Sequence, residues 1–194
     1  MNQKKVLYLT LVFWLLIFSG FIAYKEYTLR TGTEVMLKTL PVDPRDLFRG
    51  DYVTLNYEIS TLDMKKFHAE NSDFYYDEPV YLTLKLENGY GIPKEIYTTP
   101  PEDELYIKGK VKDVIYDWKT DESSNMTEEG TIKELRVDYG IESYFVPEGR
   151  GMGIEKAQRT GKTEVDAKVI IDKYGNAVIK SLLIDGKEIE FQAF

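Results

Sequence analysis

The sequence predicts a mainly β domain, an antiparallel sandwich or partly open barrel with one short helix, preceded by a single N-terminal transmembrane helix. Three observations carry this. Residues 6–24 form an uncharged apolar run. Beyond it, short stretches alternate apolar and polar side chains and are punctuated by turn residues, about eight of them at roughly 8–12-residue spacing. No glycine-rich phosphate loop leads into a long helix, which disfavours the parallel α/β folds. A chain of 194 residues has room for one ordinary domain and a short appendage.

Taken in order, residues 1–5 are predicted to be a cytoplasmic tail and Val6–Tyr24 a transmembrane anchor. Nineteen helical residues span about 28 Å, close to the ~30 Å hydrocarbon core. Twelve of them are Leu, Ile, Val or Phe, and together they favour insertion by about 4–7 kcal/mol. Lys4 and Lys5 place the N-terminus in the cytoplasm by the positive-inside bias. Tyr24 and Tyr27 suit the opposite headgroup layer. A cleaved signal peptide would have a shorter apolar core and small residues before the cut, where this chain has Phe18 and Phe21. The expectation is therefore a single-pass protein of the cytoplasmic membrane whose partner, through residues 6–24, is the lipid bilayer.

Residues 25–33 read as a tether and 34–194 as an extracytoplasmic domain. Val53, Leu55, Tyr57 and Ile59 alternate with polar neighbours over Tyr52–Ile59, and Val80 to Leu86 repeats the pattern before an Asn88-Gly89 turn. Tyr106–Trp118 is a strand long enough to bend or carry a bulge. Lys133 to Tyr139 alternates again. Val165–Ile171 and Ala177–Ile184 form a hairpin across Asp172–Asn176, and an Asp185-Gly186 turn leads to a last short strand. Ser60–Asn71 is the one stretch that reads as a helix, with Leu62 and Phe67 packing. Lys119–Gly130 is polar and acidic, a hairpin tip.

Composition excludes several functions. There is no cysteine, hence no disulfide, thiol nucleophile or cysteine zinc site, and the one histidine, His68, makes no metal centre. No metal site and no cofactor are expected. Without Lys4 and Lys5 the chain keeps 23 basic residues against 33 acidic ones, a net −10. That balance speaks against nucleic acid, which demands clustered positive charge. An EF-hand is absent, because Asp172–Asn176 lacks its spaced oxygen ligands.

Two segments carry the densest chemistry. In the first, Pro41–Tyr57, Asp43 can cap a helical turn, Pro44 suits its first position and Asp46 lies near its positive end; Gly50 stops it and Asp51 can bind local N–H groups before the strand. In the second, Tyr139–Gly153, Val146-Pro147-Glu148-Gly149 is a turn, and the glycines beside Arg150 can expose backbone N–H groups. The two are expected to touch, Arg45 or Arg49 pairing with Glu148 and Asp46 with Arg150. If a pair of carboxylates does acid–base work here, the candidates are Asp46, Asp51 and Glu148.

Gly50-Asp51-Tyr52, Leu55 and Tyr57 reproduce the string that names the GDYXXLXY proteins, and Pro41–Asp46 and Tyr144–Gly149 look like further features of that family. The resemblance covers most of residues 34–186. It implies a bacterial, membrane-associated protein, of a family whose members occur beside multi-span membrane proteins, with such a protein as its expected partner, and it supplies no catalytic residues. A looser similarity to signal peptidases, in Val42-Asp43-Pro44 and Gly50 to Val53, lacks the nucleophile: no serine lies between Asp43 and Asn56. The expected function is a non-catalytic accessory or binding subunit of a cell-envelope membrane complex, the alternative a carboxylate-dependent glycan hydrolase.

Overall fold

The computed structural model describes residues 3–40, 52–69, 73–117, 131–146 and 164–189. Helix α1 spans Gln3–Thr31. Its large apolar side chains have no protein to pack on: Leu9 is 74% and Ile22 70% exposed, the state of a helix made for lipid rather than for a core. It is the one described helix long and apolar enough to cross a membrane. The expected tether does not unravel. The helix runs on through residues 25–31, with Arg30 bonded to Glu26 one turn back at 2.7 Å, and only Gly32 separates it from the first strand.

Thirteen described strands follow: β1 Thr33–Leu40, β2 Tyr52–Thr54, β3 Asn56–Tyr57, β4 Thr61–Asp63, β5 His68–Ala69, β6 Pro79–Glu87, β7 Tyr90–Tyr97, β8 Tyr106–Asp117, β9 Thr131–Asp138, β10 Ser143–Phe145, β11 Val165–Ile171, β12 Ala177–Ile184 and β13 Lys187–Glu188. The main sheet runs β13-β12-β11-β1-β7-β6-β8-β9-β4, with β3 also on β1 and β5 on β7. It is mostly antiparallel but mixed, since β1–β7 and β5–β7 run parallel. The order nearly returns on itself. β3 borders β1, β4 borders β9, and one 3-10 turn, Glu58–Ser60, joins β3 to β4 and touches both β1 and β9. The product is a partly open barrel with a seam at that turn.

The interior is filled by the alternating apolar faces: Val35 and Leu37 of β1, Leu82 of β6, Ile107 of β8, Leu135 and Val137 of β9, Val169 and Leu182 of the last hairpin, all essentially inaccessible. Where β6 slips register against β7, the buried Thr83 hydroxyl donates to the Glu95 carbonyl at 3.0 Å and accepts the Glu95 N–H at 3.1 Å. It replaces the ladder bonds that the irregularity removes. Asn88 and Gly89 adopt positive φ (54° and 85°) in the β6–β7 turn, as an Asn-Gly hairpin needs.

The helix expected over Ser60–Asn71 is not formed over residues 60–69, the part the structure describes. Thr61–Asp63 is strand, Leu62 lies opposite Leu135 of β9, residues 64–66 turn, and His68–Ala69 pairs with β7. Asp63 bonds its carboxylate to the Lys65 N–H at 3.1 Å, a local bond that competes with helix. The sheet edge at β9 outweighs a modest helix propensity. Leu62 and Phe67 do pack on the core, Leu62 from β4 and Phe67 from the bend before β5 instead of from a helix.

Gly109 of β8 has no room for a side chain. A Cβ there would sit 2.4 Å from Val137 Cγ1, 2.9 Å from the Tyr139 ring and 3.0 Å from the Asp138 carbonyl oxygen. Gly109→Ala is expected to cost about 1–3 kcal/mol and to lower Tm by roughly 2–10 °C, measured by thermal unfolding in detergent. An unchanged Tm would show that Val137 and Tyr139 have slack.

Candidate functional site

The two chemically dense segments meet. β2 and β10 form a two-stranded antiparallel sheet in which Ser143, Tyr144 and Phe145 face Thr54, Val53 and Tyr52. The chain then breaks step. Leu55 leaves the ladder and gives its N–H to the Glu142 carbonyl at 2.8 Å, and β3 moves onto β1. The alternation read from the sequence nevertheless holds, with Val53, Leu55, Tyr57 and Ile59 all buried.

Two tyrosines lock this junction reciprocally. Tyr57 donates its hydroxyl to the Ile141 carbonyl at 2.6 Å, and Tyr139 donates its hydroxyl to the Ile59 carbonyl at 2.8 Å. Each ring is therefore rooted in one segment and bonded to the backbone of the other. Both acceptors flank places where regular pairing stops, the 3-10 turn after Tyr57 and the bend at Gly140, whose φ is 76°. Glu142 tightens the bend by accepting the Tyr139 N–H at 2.5 Å. Burial, with the Glu142 charge added, pushes both phenols far above the ordinary tyrosine range. Both are therefore protonated, and hence donors, at neutral pH.

Beside the clasp lies an open groove of about 710 Å³, lined by Thr54, Leu55, Asn56, Ser60, Thr61, Lys112, Asp113, Arg136, Val137, Asp138 and Glu142. β8 slips register on β9 between Val111 and Asp113, the irregularity that the length of this strand led one to expect, and it leaves Lys112 unpaired in the ladder to reach Asp138 at 3.0 Å. Arg136 lies 3.7 Å from Asp113. Each groove carboxylate thus faces a cation or an N–H. These ion pairs are half exposed, worth at most about 1 kcal/mol each, so they are available for exchange with a ligand. Among the described residues no group of three or more His, Asp or Glu is arranged to hold a metal ion.

Of the residues singled out in the sequence, Tyr52, Leu55 and Tyr57 fall in this junction, Leu55 and Tyr57 with their side chains in the core. Asp43, Arg45, Asp46, Arg49, Gly50, Asp51, Pro147, Glu148, Gly149 and Arg150 lie outside the described residues, as do the guanidinium–carboxylate pairs expected between them and the Lys119–Gly130 tip. Sequence reasoning gave Tyr139, Glu142, Lys112 and Arg136 no role. A signal existed for Tyr139: it continues the core-facing series Leu135, Val137, and a tyrosine aimed inward requires an acceptor.

A lipid-facing helix joined to a clasped β barrel defines the class, a membrane-anchored β domain. The family model described as "GDYXXLXY protein" matches residues 14–182, and the chain belongs to the GDYXXLXY family. No curated protein and no solved structure matches it.

Removing either hydroxyl strands a buried carbonyl. Tyr57→Phe and Tyr139→Phe are each expected to destabilise by about 1–3 kcal/mol, read by chemical denaturation; a loss below the error of that measurement would show water replacing the phenol. Alkali should also unfold the domain. Tyr90 donates to Asp166 at 2.7 Å, and that bond, with partial burial, raises its pKa to about 12. In the unfolded chain a tyrosine ionises near pH 10. The native state therefore holds protons that the unfolded state has lost, and stability present below pH ~10 disappears between ~10 and ~12. Tm measured from pH 8.5 upward should fall over that window, less steeply in Tyr90→Phe; equal slopes would contradict the assignment.

Proposed function

We propose that this chain is a non-catalytic binding subunit of a bacterial cell-envelope membrane complex, with its N-terminus in the cytoplasm and its barrel on the extracytoplasmic face. The supporting observation is the use made of the family's own string: Leu55 and Tyr57 are buried, and Tyr57 spends its hydroxyl on the Ile141 carbonyl. Those two residues hold a junction together and present no reactive group. Lys4 and Lys5 favour the inward N-terminus. The groove beside the clasp mixes paired charges with Asn56, Ser60 and Thr61, which suits a polar loop of a partner protein. Such a loop, reaching out of a multi-span membrane protein, would exchange weak internal ion pairs for intermolecular ones.

The test is purification of the tagged, full-length protein in mild detergent. A defined multi-span membrane protein should accompany it, and Lys112→Glu/Arg136→Glu should release that protein while leaving Tm within a few degrees. A lone protein that cleaves envelope polymers would overturn this reading and favour the hydrolase, with Asp46, Asp51 and Glu148 as its first candidates. Orientation is checked separately on intact cells. Because the chain has no cysteine, Lys187→Cys reports it alone: labelling by an impermeant maleimide before lysis is expected, and labelling only after lysis would place the barrel inside.

A further inference from the structure

We infer that the tip of the β11–β12 hairpin, Asp172–Asn176, rests in the lipid headgroup layer beside α1 as a second membrane contact, with Tyr174 and Lys173 as the residues that meet lipid. The inference rests on α1 crossing the bilayer.

The positioning comes from Tyr24, the last residue of the apolar run, whose side chain marks the membrane surface. Its hydroxyl lies 3.4 Å from Asp172 Oδ2, within donating distance, and accepts from Asn176 Nδ2 at 3.3 Å. Side chains on a helix lean toward its N-terminus, so this contact lies at or below the level of the Tyr24 backbone. The hairpin therefore reaches back along the last helical turns to the depth at which the apolar run ends. The seven helical residues beyond Tyr24, about 10 Å of rise, run alongside the domain and do not hold it clear of the surface.

The tip is built to keep that position. Asp172 Oδ1 accepts the N–H groups of Tyr174 and Asn176, each at 2.9 Å, and Asn176 Nδ2 reaches Oδ2 at 3.0 Å. Gly175, at φ 78°, gives its carbonyl to the Lys108 N–H of β8 at 2.8 Å, and the Tyr106 ring occupies the space a Cβ would need. With most of the tip's backbone polar groups engaged internally, the outward side chains are Tyr174, 58% exposed, and Lys173, whose ammonium lies 4.9 Å over the Tyr174 ring. An aromatic ring with a polar tip beside a long-stemmed lysine is the pair that settles at headgroup depth. Asp103 and Glu104 line the adjoining crevice, so anionic lipid is not the attraction. The contact is aromatic and should form on neutral phosphatidylcholine.

The full-length protein, reconstituted in phosphatidylcholine vesicles, tests this with single cysteines carrying an environment-sensitive fluorophore. Tyr174→Cys probes the tip, Lys173→Cys probes it with the tyrosine kept, and Leu15→Cys probes the helix. Lys187→Cys lies at the far end of the hairpin, one eight-residue strand or roughly 26 Å away. Headgroup-level nitroxide lipid should quench positions 173 and 174 several-fold more strongly than 187, while aqueous iodide reverses that order. Equal quenching at 173, 174 and 187, with Leu15 quenched by mid-bilayer nitroxide, would overturn the inference and leave the anchor intact. An unquenched Leu15 would remove the anchor, and this contact with it.

Discussion

A sheet that curls until its ends approach, but stops short of full pairing, leaves backbone donors and acceptors facing a core instead of a neighbouring strand. Each one left bare costs a few kcal/mol. In this domain the difficulty falls at the turn between β3 and β4, and the Tyr57–Ile141 and Tyr139–Ile59 bonds meet it. A phenol suits the task. Its ring adds to the core the apolar bulk that a broken strand fails to supply, and its hydroxyl reaches a carbonyl that no strand can pair. Gly109 makes room for the Tyr139 ring, Glu142 fixes the bend that aims it, and Leu55 leaves the ladder to reach Glu142. Fold and groove both follow from this junction, because the groove is the outer side of the same seam.

The anchor and the barrel form a continuous mechanical unit. Helix α1 does not fray into a leash, and the Tyr24 contact with Asp172 and Asn176 ties its outer turns to a hairpin that is itself braced on β8. With Gly32 between helix and β1, and the hairpin tip beside the helix, the barrel has two attachments to one rod. For the proposed binding role, a groove held this way has less conformational freedom to lose on docking.

Much of this was legible in the sequence, for identifiable reasons. Period-two alternation found β6 and β9 with most of their buried faces, Val80, Leu82 and Leu84 of β6 and Leu135 and Val137 of β9, though Leu86 is exposed. β8 and the β11–β12 hairpin were readable as extended runs without a buried face, and β11 is covered on both sides. Val53 to Ile59 shows the pattern surviving a change of partner: its buried face was readable, but the shift from β10 to β1 was not, since alternation reports which side is covered and not by which strand. Ser60–Asn71 misled because a short polar stretch with Leu62 and Phe67 fits a helical turn as well as a strand and bend, and only the edge of β9 decides. β7 went unrecognised, since Gly91 and Pro93 interrupt its pattern. Of the site, the meeting of the two segments was expected, but through guanidinium–carboxylate pairs that lie outside the described residues; the meeting seen is the β2–β10 strand pairing. The clasp was not, because a hydrogen bond from a side chain to a distant carbonyl has no sequence spacing.

Native-state hydrogen exchange at the seam measures the clasp most directly. The Leu55 amide, bonded to the Glu142 carbonyl, and the Tyr139 amide, bonded to the Glu142 carboxylate, should exchange only through global unfolding, as slowly as the Leu84 and Val111 amides in the body of the barrel. Exchange at Leu55 and Tyr139 through local opening, orders of magnitude faster than at Leu84 and Val111, would mean that the seam breathes and that something other than the two tyrosines holds the barrel together.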